Sequence, residues 1–307
     1  MSYLPSGLQH ELRAGAARAV AVEVGGGLRE YTVAGRHLLD GYGEHEICAG
    51  ARGQLLVPWP NRVRDGRYAS NDRVHQLALT EPEQHNAIHG LVRFAAWRLE
   101  DRDTARIRLS HTLHPQPGYP HSLLVGVEYH LTETALQVSV EVSNRGDSTA
   151  PVGVGAHPYL RAGGGQVDDW TLHLPAGRRL VTDAQQVPLS DVPVAGSPED
   201  FRSPRRIGVT HLDTGYSELS RDTAGSCRVE VRAKDGGGVA LVLGADIPYV
   251  MAFTGDTLAD VSRRRQGLGL EPMTCAPDAF NSGQGLRTLG PGETLRCGWR
   301  LEAISPD

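Results

Sequence analysis

Two segments each place a proton-transferring side chain directly before a proline: Leu270-Glu271-Pro272-Met273-Thr274 near the C-terminus and His157-Pro158-Tyr159 well upstream. A residue that precedes proline is steered out of the helical region into extended backbone, so Glu271 and His157 are each expected at a strand end with little backbone freedom. Carboxylate and imidazole have ordinary pKa values on either side of mild acidity. Brought to one small molecule, they could take a proton from one atom while delivering another to its neighbour. Prolines end strands in any protein, so the pair needs support from other residues.

That support is polar and spread along the chain. Pro58-Trp59-Pro60-Asn61-Arg62 follows the apolar stretch Gln54 to Val57 and ends in an amide and a guanidinium, fixed planar donors suited to a polyhydroxylated or anionic ligand. Asn86-Ala87-Ile88-His89-Gly90 sets a histidine beside a glycine that permits close backbone approach. Leu212-Asp213-Thr214-Gly215 adds a carboxylate, with Glu218 and Asp222 close by as competitors for its role. Trp59, Tyr159 and Phe280 could pack on the apolar face of a ring, although core packing is the commoner use of such residues. His85 and His89, like His111 and His114, have offsets that match metal ligands on a helix. In strand and loop contexts those offsets do not put both rings on one face, so no metal site is expected.

The elements that must position these groups are strands. Apolar and polar residues alternate over Ala19–Val24, Val74–Leu79, Ile107–Ser110, Leu123–Leu131 and Leu136–Val142, the period of a half-buried strand. Further candidates are Trp170–Leu174, Cys227–Val231, Val239–Leu243, Tyr249–Phe253 and Leu295–Leu301. Thirty-seven glycines and nineteen prolines punctuate the chain throughout, and no amphipathic pattern exceeds a helical turn or two. Many strands without interleaved helices predict an all-β protein of stacked, mostly antiparallel sheets. The Pro-, Ser- and Asp-rich stretch Asp183–Pro204 is expected as a long surface excursion. Strand patterning resumes unchanged after it, so residues 1–307 are expected to form a single domain.

Composition narrows the partners. A net charge of -5 argues against nucleic acid, whose binders concentrate cations to displace phosphate counterions. The one dense cationic run, Arg263-Arg264-Arg265, is expected as a solvated loop. Cys48, Cys227, Cys275 and Cys297 form no CxxC pair and are expected as free thiols of a reducing compartment. The first residues carry Glu11, Arg13 and Arg18 without a continuous apolar stretch, and no segment approaches the roughly 20 apolar residues of a bilayer span. A cytoplasmic protein without a membrane partner is the expectation.

Taken in order, Asn61-Arg62, His89-Gly90, His157-Pro158-Tyr159, Asp213 and Leu270-Glu271-Pro272 resemble the aldose 1-epimerases, or galactose mutarotases. The resemblance runs from Glu23-Val24-Gly25-Gly26 to the last strand at Trp299. It implies a galactose mutarotase-like β-supersandwich that interconverts the α and β anomers of a free aldohexose without metal or organic cofactor. It also implies Glu271 as general base, His157 as general acid, and Arg62, His89, Asp213, Asn61 and Tyr159 as sugar-binding residues. The substrate partner would be a small-molecule sugar, and the protein a monomer or weak homodimer. The chain departs from the pattern at Gly90-Leu91-Val92-Arg93, where many members have a second glycine, and Met273–Asn281 is similar to a bacterial branch. Rival readings are a hexose-6-phosphate 1-epimerase using Arg64, Arg67 and Arg93, a glycoside hydrolase using Asp213 with Glu271, and a non-catalytic carbohydrate-binding protein.

Overall fold

The alternation read from the sequence builds the larger of two sheets. In Leu123–Leu131 every second residue, Leu123, Val125, Val127, Tyr129 and Leu131, is buried, and its neighbour Ala135–Asn144 buries Leu136, Val138, Val140 and Val142 in the same way. Each such side chain removed from water contributes about 1.5–3 kcal/mol, which selects this register over a one-residue slip that would expose the whole set. The outward face is mixed and carries charged pairs between neighbouring strands, as in Arg108–Glu141 and Arg296–Glu141. They keep that face wet and add little stability.

The structure is a computed structural model and describes residues 4–307. Among these residues the chain forms a nine-stranded and an eight-stranded sheet, flanked by a four-stranded sheet near the N-terminus and by small two-stranded ribbons. The nine-stranded sheet is centred on Ala135–Asn144 and Thr294–Ile304. The eight-stranded sheet runs Pro188–Pro193, Ala176–Thr182, Asp213–Leu219, Tyr249–Phe253, Leu268–Met273, Gly155–Ala156 and Leu55–Leu56, with Tyr159–Leu160 also pairing to Leu268–Met273. One buried apolar cluster takes in Val140 and Leu301 from the first sheet together with Val250, Ala252 and Leu270 from the second. The α-helix is limited to the single turn Ala279–Ser282 among the described residues. No helix among the described residues is long and apolar enough to cross a membrane.

Three expectations are corrected. Asp183–Pro204 is not simply a surface excursion: it contributes the edge strand Pro188–Pro193 and buries Val194 and Phe201 completely. Prolines at both ends are compatible with an edge strand, which needs a hydrogen-bond ladder on one side only. Arg263-Arg264-Arg265 is solvated only in part: Arg264 is exposed, but Arg265 is largely buried between Asp168 and Asp256 and Arg263 reaches to 3.7 Å from Asp40. Glu271 lies inside the strand Leu268–Met273 rather than at its end. The neighbouring chain is the one that breaks there, between Gly155–Ala156 and Tyr159–Leu160, so Pro158 and Pro272 interrupt the ladder from both sides.

Candidate active site

Strand register alone brings the two candidate proton-transfer residues together. Gly155 pairs with Met273 and Tyr159 with Gly269, so His157, midway between, stands opposite Glu271. On the other side Met251 pairs with Glu271, and Gly215 with Met251. Side chains alternate faces along a strand and directly opposed residues share one. His157, Glu271, Phe253 and Asp213 therefore project from the same face of the eight-stranded sheet. Gly269 keeps that face open, since a Cβ there would meet the Phe253 Cβ at 3.2 Å and the His157 ring at 3.6 Å.

Asn61 and His89 arrive from the ribbon formed by Arg62–Arg64 and Asn86–Ile88. Both have left-handed backbone, φ 53° and 65°, a conformation that costs non-glycine residues about 1–3 kcal/mol in strained cases. Reciprocal bonds hold them: the His89 amide donates to the Asn61 carbonyl at 2.8 Å, and the Asn61 amide donates to His89 Nδ1 at 3.2 Å. Nδ1 is thereby an acceptor, which leaves the ring proton on Nε2. Arg62 is fixed by Glu81, Nε to Oε2 at 2.7 Å and Nη2 to Oε1 at 2.8 Å. Its Nη1 has only a long 3.5 Å contact to Asn61 Oδ1.

These groups line one cleft of about 460 Å³, shared by Asn61, Arg62, His89, His157, Tyr159, Asp213 and Glu271. The seven residues that the resemblance assigns to the site thus reach the same space. Tyr159 does so with its ring, because its hydroxyl is committed to the Gly50 carbonyl at 3.0 Å. Trp59 and Phe280 instead pack edge to face on each other in the core, 5.4 Å between centroids. Glu218 is exposed and Asp222 caps the turn at Ala224 and Ser226, which leaves Asp213 as the carboxylate of that region in the cleft. Sequence reasoning missed Glu81, Phe253 and Gln186, all of which line it.

His157 Nε2 lies 3.2 Å from Glu271 Oε1, with both side chains almost wholly buried. Burial pushes Glu271 well above the usual carboxylate range, Asp213 adds to the rise and Arg62 opposes it. Burial likewise pushes His157 far below the ordinary imidazole value, helped by Arg93 and Arg52. Each group is driven toward its neutral form, and the short contact lets a single proton lie on either one. His89 is lowered by burial first and then by His157, Arg93 and Arg62. Asp213 is raised, mainly by burial.

His89, His157 and Glu271 offer ligating atoms within 4.8 Å of one another, close enough to suggest a metal centre. The hydrogen bonds argue otherwise. A ligating histidine normally donates its second ring nitrogen's proton to an acceptor. Here Nδ1 of His89 faces the Asn61 amide, itself a donor, and Nε2 carries the proton, so neither nitrogen is free for a cation. The trio is better fitted to moving protons.

A family model for aldose 1-epimerase matches residues 9–301. The chain belongs to the aldose 1-epimerase family. It is 33% identical to the uncharacterized protein YihR of Escherichia coli (strain K12) over 292 residues, 95% of this chain and 92% of that protein. Among solved structures, an aldose epimerase homologue from C. elegans superposes with a TM-score of 0.86 at 16% identity, covering 97% of this chain and 99% of the other. A putative aldose 1-epimerase from Escherichia coli K12 superposes with a TM-score of 0.81 at 22% identity, covering 96% and 98%. The fold is therefore the galactose mutarotase-like one expected from the sequence, and its family is one of epimerases.

Proposed function

We propose that this protein is an aldose 1-epimerase that opens and recloses a free aldohexose ring by acid/base catalysis. The supporting observation is the 3.2 Å approach of His157 Nε2 to Glu271 Oε1 in a sugar-sized cleft. In a cyclic aldose the hydroxyl and ring oxygens share one carbon, so the acid and the base must reach neighbouring atoms. Two groups in mutual contact meet that demand.

Glu271 as carboxylate takes the proton from the anomeric hydroxyl, and the electron pair of that O–H bond forms the aldehyde C=O. The bond from C1 to the ring oxygen breaks, and its electron pair accepts a proton from imidazolium His157. Rotation about C1–C2 presents the other carbonyl face. His157 then removes the new hydroxyl's proton, the oxygen attacks C1, and Glu271 returns its proton to the former carbonyl oxygen. Atoms and charges balance over the cycle. The sugar's own hydroxyls supply hydrogen bonds that burial withholds from the empty pair, favouring the carboxylate–imidazolium arrangement in the complex. On this reading Arg62 Nη1, the Nε2–H of His89 and the Asp213 carboxyl group, all of which line the cleft, hold the remaining hydroxyls.

A phosphorylated hexose is less well supported. Arg64 is tied to Asp183 and Gln185, Arg67 lies outside the cleft, and of the three candidate arginines only Arg93 lines it. Polarimetry of freshly dissolved α-D-glucose or α-D-galactose should show accelerated decay of rotation, with glucose 6-phosphate slower. Glu271→Gln and His157→Ala should each lower the rate by about a hundredfold or more while leaving the fold intact. Full activity in both variants would refute the assignment. Release of reducing sugar from aryl glycosides would point to hydrolysis instead, and sugar binding without wild-type turnover to a lectin-like role.

A further inference from the structure

Behind His157 lies an ordered set of residues that the acid/base scheme does not use. Tyr159, two positions along and so on the same face, stacks on the His157 ring at 4.8 Å with an interplanar angle of 14°. The Arg52 guanidinium lies over the same phenol, its Cζ 4.4 Å from the centroid. Arg52 is in turn fixed by Asp40, Nε to Oδ2 at 3.2 Å, and by the Ala49 carbonyl at 3.1 Å. Asp40 and Arg52 are both inside the protein, 6% and 3% exposed, and Arg52 Nη2 has no partner. The backbone ties this unit to the site: the Asp40 amide donates to the Tyr159 carbonyl at 2.9 Å and the Gly53 amide to the His157 carbonyl at 2.8 Å.

A buried ion pair is a poor stabiliser, since desolvating each charge costs several kcal/mol and an apolar replacement is often as good. A positive charge held behind an imidazole does, however, favour loss of the imidazole's proton. We infer, resting on the epimerase reading above, that Arg52 is a positioning residue: clamped by Asp40 and layered on Tyr159, it fixes the His157 ring toward Glu271 and promotes proton delivery from it to the sugar. The other groups facing His157 are Glu271, His89 at 5.3 Å between ring centroids, and Arg93. None of them contacts Tyr159 as Arg52 does.

Removing the Arg52 charge and removing the Asp40 charge should act on His157 in opposite directions, a signature that general loosening of the site cannot give. Two measurements read it: the pH profile of kcat for anomer exchange, and the titration of the His157 ring followed by NMR of 15N-histidine-labelled protein, assigned by its loss in His157→Ala. Arg52→Gln should move both to higher pH and lower kcat by about tenfold or more, with KM little changed. Asp40→Asn should move both to lower pH, and Arg52→Lys, which keeps the charge, should restore the wild-type position. If Arg52→Gln does not fold, Asp40→Asn and Arg52→Lys carry the comparison. Unmoved titrations in the folded variants, or shifts of the same sign, overturn the inference. If wild-type protein exchanges no aldose anomers while the NMR shifts appear as described, the epimerase reading fails and the coupling of Arg52 to His157 stands.

Discussion

Glu81 acts on the cleft through Arg62. By taking two guanidinium nitrogens it fixes the orientation of the third and offsets the charge that Arg62 would otherwise impose on Asp213 and Glu271. Glu81→Gln should leave Arg62 less well aimed while the proton-transfer pair stays in place. We expect KM for the sugar to rise by roughly tenfold, in line with weakening one charge-assisted hydrogen bond, and kcat to change far less. A fall in kcat at constant KM would show instead that Glu81 serves the chemistry. Glu81 was legible in principle, since it precedes Pro82 just as Glu271 precedes Pro272. Asp213 had no comparable local signal: Glu218 and Asp222 looked as good until the strand starting at Asp213 placed it on the sheet face that carries Glu271. His89 was visible through Gly90, but its tautomer depends on a bond from Asn61 that spacing does not reveal.

Among elements, those with period-two burial were the legible ones. Leu123–Leu131 has the bounds that alternation assigns, because its residues are buried in turn on one face only. Leu268–Met273 is buried along its entire length and so shows no alternation. Its pairing partners, and with them the meeting of Glu271 and His157, are set by long-range register that a local pattern does not encode. Asp183–Pro204 differs from its expected form because composition marks turns well but does not tell an edge strand from a loop. Gly90 is the element-scale test. It has φ 68°, and a Cβ there would sit 2.2 Å from the Val57 carbonyl oxygen, so the backbone following His89 must shift for any other residue. Gly90→Ala should destabilise the fold by about 1–3 kcal/mol and lower activity more than stability. Denaturant midpoints and rates unchanged from wild type would show that the turn adjusts freely.

For the whole molecule, the sign of the response to acid follows from which buried groups resist protonation. His10, His89, His111, His121 and His157 are all lowered below the ordinary histidine value, each with burial as the leading cause. A group whose folded pKa is depressed binds fewer protons folded than unfolded once the pH falls below the unfolded value near 6.5, so stability is lost as acid is added. Glu271, raised by burial, works the other way, because the folded state holds its proton where the unfolded chain has released it. It roughly cancels His157: with the proton on Glu271 the two effects oppose, and with the proton on His157 both groups are close to their unfolded charges. Asp213 and Asp278 are also raised, but from an ordinary value of 3.8, so they act mainly at the acid end. That leaves His89, the most strongly lowered of the rest, with His10, His111 and His121 adding smaller amounts. Stability should therefore fall by on the order of 1 kcal/mol per pH unit between pH 6.5 and 5.5. Urea unfolding at pH 7.5, 6.5 and 5.5 measures it directly. His89→Asn should flatten the slope, and a wild-type stability that rises on acidification would mean that the carboxylates, not the histidines, govern this window.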